Sequence, residues 1–299
     1  MNYRLIASTI NKGKGNPMKF ILLSLTILLT LNVNASVDVV YGDDNRVDVY
    51  ASNNQFYVDL AASTAAMIKN SNLQVLGDEV KINGRSLEAR GMCASERFSH
   101  QSTAASCSGF LVGENLLVTA GHCIENMSDC KSNDWVFDYK VENDTQKNVT
   151  VAKTAVYKCK RIIAQDLSRR TKDDYALIEL DRKVTDRAPL TYRRSGKIKR
   201  GTEIVVIGHP SGLPTKIADG AKVRSVNNVY FQANLDTYGG NSGSAVFNAQ
   251  TGEVEGILVR GERDYVYNSS KGCYETNYLS DNGGRGEDVT LITNIKELR

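Results

Sequence analysis

Three histidines, His100, His122 and His209, occur in a chain of 299 residues, so a mechanism that needs an imidazole has three starting points. His122 follows the apolar run Leu116-Leu117-Val118, inside Thr119-Ala120-Gly121-His122-Cys123. A strand end followed by small residues can present an imidazole to a cleft while the strand keeps its backbone rigid. A second apolar run, Tyr175 to Leu180, is preceded by Asp174, whose carboxylate at the strand mouth could orient a histidine by accepting its N–H. Gly239-Gly240-Asn241-Ser242-Gly243-Ser244 then surrounds Ser242 with glycines, whose tolerance of positive φ lets nearby amides turn toward an oxyanion. Each motif alone is weak. Together, in the order His, Asp, Ser, they point to nucleophilic catalysis by a serine.

Other chemistries fit less well. An α/β-hydrolase needs G-x-S-x-G and the chain order Ser, acid, His, whereas Ser244 stands at the fifth position here and the order is reversed. No H-E-x-x-H or clustered Cys/His spacing marks a metal site, so neither metal nor cofactor is expected. The 37 Lys+Arg against 34 Asp+Glu leave a net charge of +3, too small for binding nucleic acid by phosphate neutralisation.

The residues in question need a scaffold, and the pattern around them describes one. Residues 20 to 31 form an apolar run after Met18-Lys19 and before Val33-Asn34-Ala35, a secretory signal pattern too short to span a bilayer. The segment 1–35 is read as that signal, which implies a secreted protein, extracellular or periplasmic, with no stable membrane association once it is removed. It carries four bases and no acid, so its loss takes the charge from +3 to −1. In an oxidising compartment the six cysteines read first as disulfides, with fifteen pairings open. Residues 36–90 are acidic and cysteine-free, and are expected to be a pro-segment or N-terminal extension. Within them Phe56 to Lys69 has helical spacing, although Thr64 to Ile68 could equally be a strand. From Cys93 onward, short apolar runs separated by Gly, Asn and Asp predict an all-β barrel or sandwich, closed by a short helix over 292–299.

These motifs resemble the chymotrypsin-like, trypsin-fold serine peptidases, and more closely the bacterial branch that includes the glutamyl endopeptidases. Cys107-Ser108-Gly109-Phe110-Leu111-Val112, followed sixteen residues after its cysteine by Cys123 of Ala120-Gly121-His122-Cys123, carries the resemblance, which covers about residues 93 to 299. It implies two six-stranded antiparallel Greek-key β-barrels in a peptidase domain over 91–299. It also implies His122 as general base, Asp174 as its support in preference to Asp173, Ser242 as nucleophile, and the amides of Gly240 and Ser242 as oxyanion hole. Cys107 would pair with Cys123 by the same likeness. Cys130 and Cys159 flank one strand region and form the natural second pair, leaving Cys93 with Cys273.

In such peptidases the residue six before the nucleophile lies at the pocket base, here Asp236, with Gly261 keeping the entrance open. A carboxylate there favours Arg or Lys. A glutamyl preference and a catalytically silent binding domain are the alternatives. Substrates would be proteins or peptides, and a monomer is expected. Asn241 and Val259 depart from the resemblance: trypsin-like zymogens have an aspartate at the first position, and a serine supporting the catalytic aspartate is frequent at the second. Activation by cleavage near Arg90-Gly91 is expected. His209 reads as a loop or rim residue, and His100 as a surface one.

Overall fold

The computed structural model describes residues 39–299; the expected signal segment 1–35 lies outside the described residues. Short apolar runs cannot bury their faces singly, and an open sheet leaves unpaired backbone along its edges. Both problems are met by closure. Strands Asn133–Phe137, Val156–Leu167, Asp174–Leu180, Leu116–Thr119, Ala105–Gly113 and Thr64–Lys69 pair antiparallel in that order, and the last returns to the first. Inside this barrel Trp135, Phe110, Phe137 and Ile68 are fully buried.

Glu203–Gly208, Ala245–Asn248, Val254–Arg260, Glu287–Leu291, Tyr230–Ala233 and Lys216–Val226 form a second antiparallel ring, closed by pairing of the last strand with the first. Ile204, Phe231, Val246 and Leu258 fill one part of its interior. The expected two six-stranded barrels are therefore present. In place of the expected closing helix, the C-terminus makes two single 3-10 turns, Ile292–Asn294 and Lys296–Leu298.

The fold is continuous across residue 90. Helical spacing ends early, in the short helix Gln55–Ala61, and the β-branched and small residues of Thr64–Lys69 become the sixth strand of the first barrel. Further upstream, Arg46–Asp48 adds to the edge of the second barrel against Lys216–Ala218. The acidic stretch expected as a removable pro-segment is thus built into both barrels. Its acidity is local: Asp48 pairs with the buried Lys216 at 2.7 Å and Asp44 with the buried Arg46 at 2.6 Å.

A chain starting at Gly91 should fail to unfold cooperatively in urea, because it leaves the first barrel open between Asn133–Phe137 and Ala105–Gly113. In the full chain, Ile68→Ala should cost about 3 kcal/mol by the same titration, the usual loss for a fully buried side chain of that size.

Candidate active site

Antiparallel pairing of Ala176 with Thr119 brings the start of one strand beside the end of another. His122 follows directly in a single 3-10 turn, Gly121–Cys123. Asp174, 3% exposed, holds it twice: one carboxylate oxygen accepts the His122 backbone N–H at 3.0 Å, and the other meets Nδ1 at 2.8 Å. One bond fixes where the ring is, and the other fixes its rotation and leaves Nε2 as the acceptor nitrogen. The neighbouring Asp173 turns elsewhere and accepts from Asn294; burial pushes its carboxyl above the ordinary range.

The Ser242 loop comes from the second barrel. Gly240 at φ +101° and Gly243 at φ +88° occupy left-handed backbone that flanks Asn241-Ser242. A Cβ at Gly243 would lie 2.1 Å from the Ser108 carbonyl oxygen and 2.3 Å from Thr119 Oγ1, so only glycine lets the loop lie this close to the strand that leads to His122. The Ser108 N–H donates to the Ser242 carbonyl at 2.8 Å, and Cys123 Sγ lies 3.7 Å from that oxygen. Ser242 is 7% exposed. Among the described residues its hydroxyl makes no hydrogen bond to His122, and the amides of Gly240 and Ser242 donate to no protein acceptor.

Cys107–Cys123, Cys130–Cys159 and Cys93–Cys273 are disulfides, and no cysteine is free. The first flanks His122. Its sulfurs lie with the ring within 4.8 Å of one another, but they are bonded to each other and so are not thiolate ligands for a metal.

Asp236 does not face an open pocket. It is 4% exposed, and its two oxygens accept the backbone N–H groups of Tyr41 at 2.8 Å and Asn45 at 2.9 Å. Thr237 N–H donates to Val39 O, and the Arg46 guanidinium lies 4.1 Å from the Tyr238 ring centroid. The segment 39–46 therefore packs on the Asp236 carboxylate, whose oxygens are taken by its backbone amides. Nothing in the sequence pairs Asp236 with residues nearly two hundred positions upstream. Burial raises the Asp236 carboxyl to about 7 despite the two amides, which act in the opposite sense.

A different carboxylate stands by Gly261. A Cβ there would lie 1.7 Å from Glu287 Oε2, so the glycine makes room for an acid rather than for an open entrance. Glu287 is fully buried; it accepts from Thr237 Oγ1 at 2.9 Å and from the Glu262 N–H at 3.2 Å. Sequence reading missed it, since it opens the last strand, Glu287–Leu291, far from any motif. Its one signal was an acid opening the apolar run Val289 to Ile292.

His209 is a core residue and not a rim one. Fully buried, it stacks on Tyr139 and meets Ser108 Oγ through Nδ1 at 3.0 Å and Thr215 Oγ1 through Nε2 at 3.1 Å. Burial and the Lys216 charge push it down to about 3, so it is neutral. His100 is half-buried and contacts the Asp144 carbonyl.

The trypsin-like peptidase domain family matches residues 107–257. Among solved structures, similarity is found to a Glu endopeptidase, 17% identical with a TM-score of 0.49, covering 85% of this chain and 94% of that one. It is also found to the Vibrio cholerae VesB protease, 13% identical with a TM-score of 0.48, covering 87% and 66% respectively. A serine endoprotease from Yersinia pestis is 15% identical with a TM-score of 0.43, covering 70% and 57%. Comparison with curated proteins found no match.

The raised Asp236 carboxyl sets a pH test. Its native form holds a proton to about pH 7, whereas the unfolded carboxyl ionises near its ordinary 3.8, so its contribution is full below about 4 and is lost as pH rises through 7. Asp236→Asn cannot ionise. Urea titrations should therefore show the variant gaining on wild type between pH 4 and 8, with a constant difference below 4.

Proposed function

The chain belongs to the trypsin-like peptidase family, and from that premise we propose that it is a secreted serine endopeptidase working through an acyl-enzyme. The observation that carries the reading is the double grip of Asp174 on His122 next to a glycine-flanked Ser242. Ser242 Oγ attacks the scissile carbonyl while His122 Nε2 takes its proton. The oxyanion accepts from the Gly240 and Ser242 amides, and Asp174 stabilises the imidazolium as it forms. His122 then gives that proton to the leaving amine, and the acyl group stays on Ser242. Water, deprotonated by the same nitrogen, releases the acid and restores the serine. A Ser242–His122 bond is frequently long without substrate and tightens on binding.

We assign the Arg/Lys preference to Glu287 in place of Asp236. Its carboxylate lies against Gly261 and Thr237, five residues before Ser242, where a guanidinium or ammonium would gain charge-assisted hydrogen bonds. A glutamyl side chain would meet a like charge there, so that alternative ranks below it. Three disulfides support an oxidising location. Residues 39–299 would act as one peptidase unit, exported by the segment 1–35 and monomeric.

A fluorophosphonate should label wild type at Ser242 and leave Ser242→Ala unlabelled, and peptide hydrolysis by that variant should fall by about 10⁴-fold or more. An unlabelled, folded wild type would mean a silent binding domain instead. Profiling on a peptide library should show cleavage after Arg or Lys, and Glu287→Gln should reduce that preference by at least about 10-fold, the worth of one charge-assisted contact. An unchanged profile removes Glu287 from the pocket.

A further inference from the structure

Asp174 has a third neighbour. Arg260 Nη1 lies 3.6 Å from its Oδ2, the oxygen that meets His122 Nδ1. Arg260 ends the strand Val254–Arg260, where a register shift between Leu258 and Arg260 breaks the strict alternation. Such a bulge re-aims a side chain. Leu258 and Val259 are both buried, and Arg260 leaves the second barrel toward the first.

The guanidinium is held from two further sides. Its Nε donates to Asp288 Oδ2 at 3.0 Å, and Nη2 donates to the Lys172 carbonyl at 2.7 Å. Asp288 is itself fixed by Gln232 and Arg285, each at 3.0 Å. Lys172 sits at φ +71°, in the turn that delivers Asp173 and Asp174 to their strand. One planar fork thus spans the strand, the turn and the carboxylate. Lysine could not replace it, having a single nitrogen and no fixed plane.

We propose that Arg260 is a positioning residue for the peptidase reaction: it holds the Lys172–Asp174 turn in place from the opposite barrel and sets the electrostatic balance between Asp174 and His122. This rests on the peptidase reading above. It fills the role that Val259, being apolar, leaves empty. The guanidinium braces the carboxylate, and its charge offsets part of the negative field that favours a protonated His122.

The other charged groups around this corner are Asp173, Lys172 and Asp166 on the hairpin and Asp288 and Arg285 on the second barrel. All are retained when Arg260 alone is changed. In Arg260→Gln the uncompensated carboxylate should keep the imidazolium to higher pH. The acid limb of kcat/KM on an arginyl peptide should therefore move up by about half a pH unit. On the pH plateau kcat should fall roughly 10-fold as the turn loosens. Arg260→Lys should restore the limb, because the charge returns, but not the plateau kcat, because the fork does not.

Fluorophosphonate titration of each variant counts folded sites, so rates are expressed per reactive Ser242. A limb unmoved in Arg260→Gln, or moved equally in Arg260→Lys, overturns the proposal while leaving the peptidase reading intact. A wild type that takes no label overturns that reading instead. If Arg260→Gln yields no labelled protein, the same limb is read in Asp288→Asn, which releases the guanidinium's Nε anchor; a limb identical to wild type there overturns the proposal.

Discussion

Ser108 is where the two barrels are joined at the point that matters for chemistry. It lies in the first barrel, fully buried, and its N–H donates to Ser242 O while its hydroxyl donates to Gly240 O at 2.8 Å. The His209 backbone N–H reaches the same hydroxyl oxygen at 3.0 Å, and Thr119 Oγ1 donates to the Ser108 carbonyl at 2.7 Å. His122, carried by one barrel, and Ser242, carried by the other, can cooperate in the proposed reaction only if the seam between them is fixed to fractions of an ångström. One serine with every polar atom engaged provides that fix. The neutral ring of His209 lies between the Ser108 and Thr215 hydroxyls, each of which also donates to a backbone carbonyl, Gly240 O and Tyr139 O.

The Ser242 loop is braced from the other side by the N-terminal segment. Asn241, where a zymogen-type aspartate would stand, accepts from Ser244 Oγ at 3.2 Å and makes no ion pair. The ordering contact lies five residues earlier, where Asp236 captures two amides of residues 41–45 and Arg46 covers Tyr238. Both devices use a carboxylate beneath the Ser242 loop. They differ in what the carboxylate takes: a free amine in one, backbone N–H groups of a continuous chain in the other. The loop is thus tied to the N-terminal segment by contacts within the continuous chain.

Whatever was local in sequence could be read from it. The His122, Asp174 and Ser242 motifs each sit on a strand end or a glycine turn, and the apolar runs that bury themselves into barrels are contiguous. Four features were not legible, each for the same reason. Thr64–Lys69 is strand by virtue of the two strands it closes against, which override a helical spacing that continues only to Ala61. Asp236 fits a pocket base until one knows that Tyr41 and Asn45 arrive there. Glu287 and Arg260 belong to strands whose motifs are merely apolar, and their roles depend on register and on one bulge. Resemblance supplies positions, but it cannot say which partner a side chain meets when that partner is distant in the chain.

The buried polar groups form one connected line from the N-terminus to the nucleophile loop. Asp48 binds Lys216, which also donates to Gln101 Oε1 and Pro214 O, both at 2.8 Å. Full burial drags the Lys216 ammonium down to about 8 even with Asp48 beside it. After burial, that charge is one cause of His209 staying neutral, so the ring carries a single N–H between the Ser108 and Thr215 hydroxyls. Removing Asp48 would leave a cation buried without its counter-ion, a far larger penalty than the pair contributes when intact. Lys216 would then release its proton, and the smaller of the two causes that keep His209 uncharged would go with it, burial remaining. An acidic residue in what reads as a dispensable leader is in this way coupled, through Lys216, His209 and Ser108, to the backbone of the Ser242 loop.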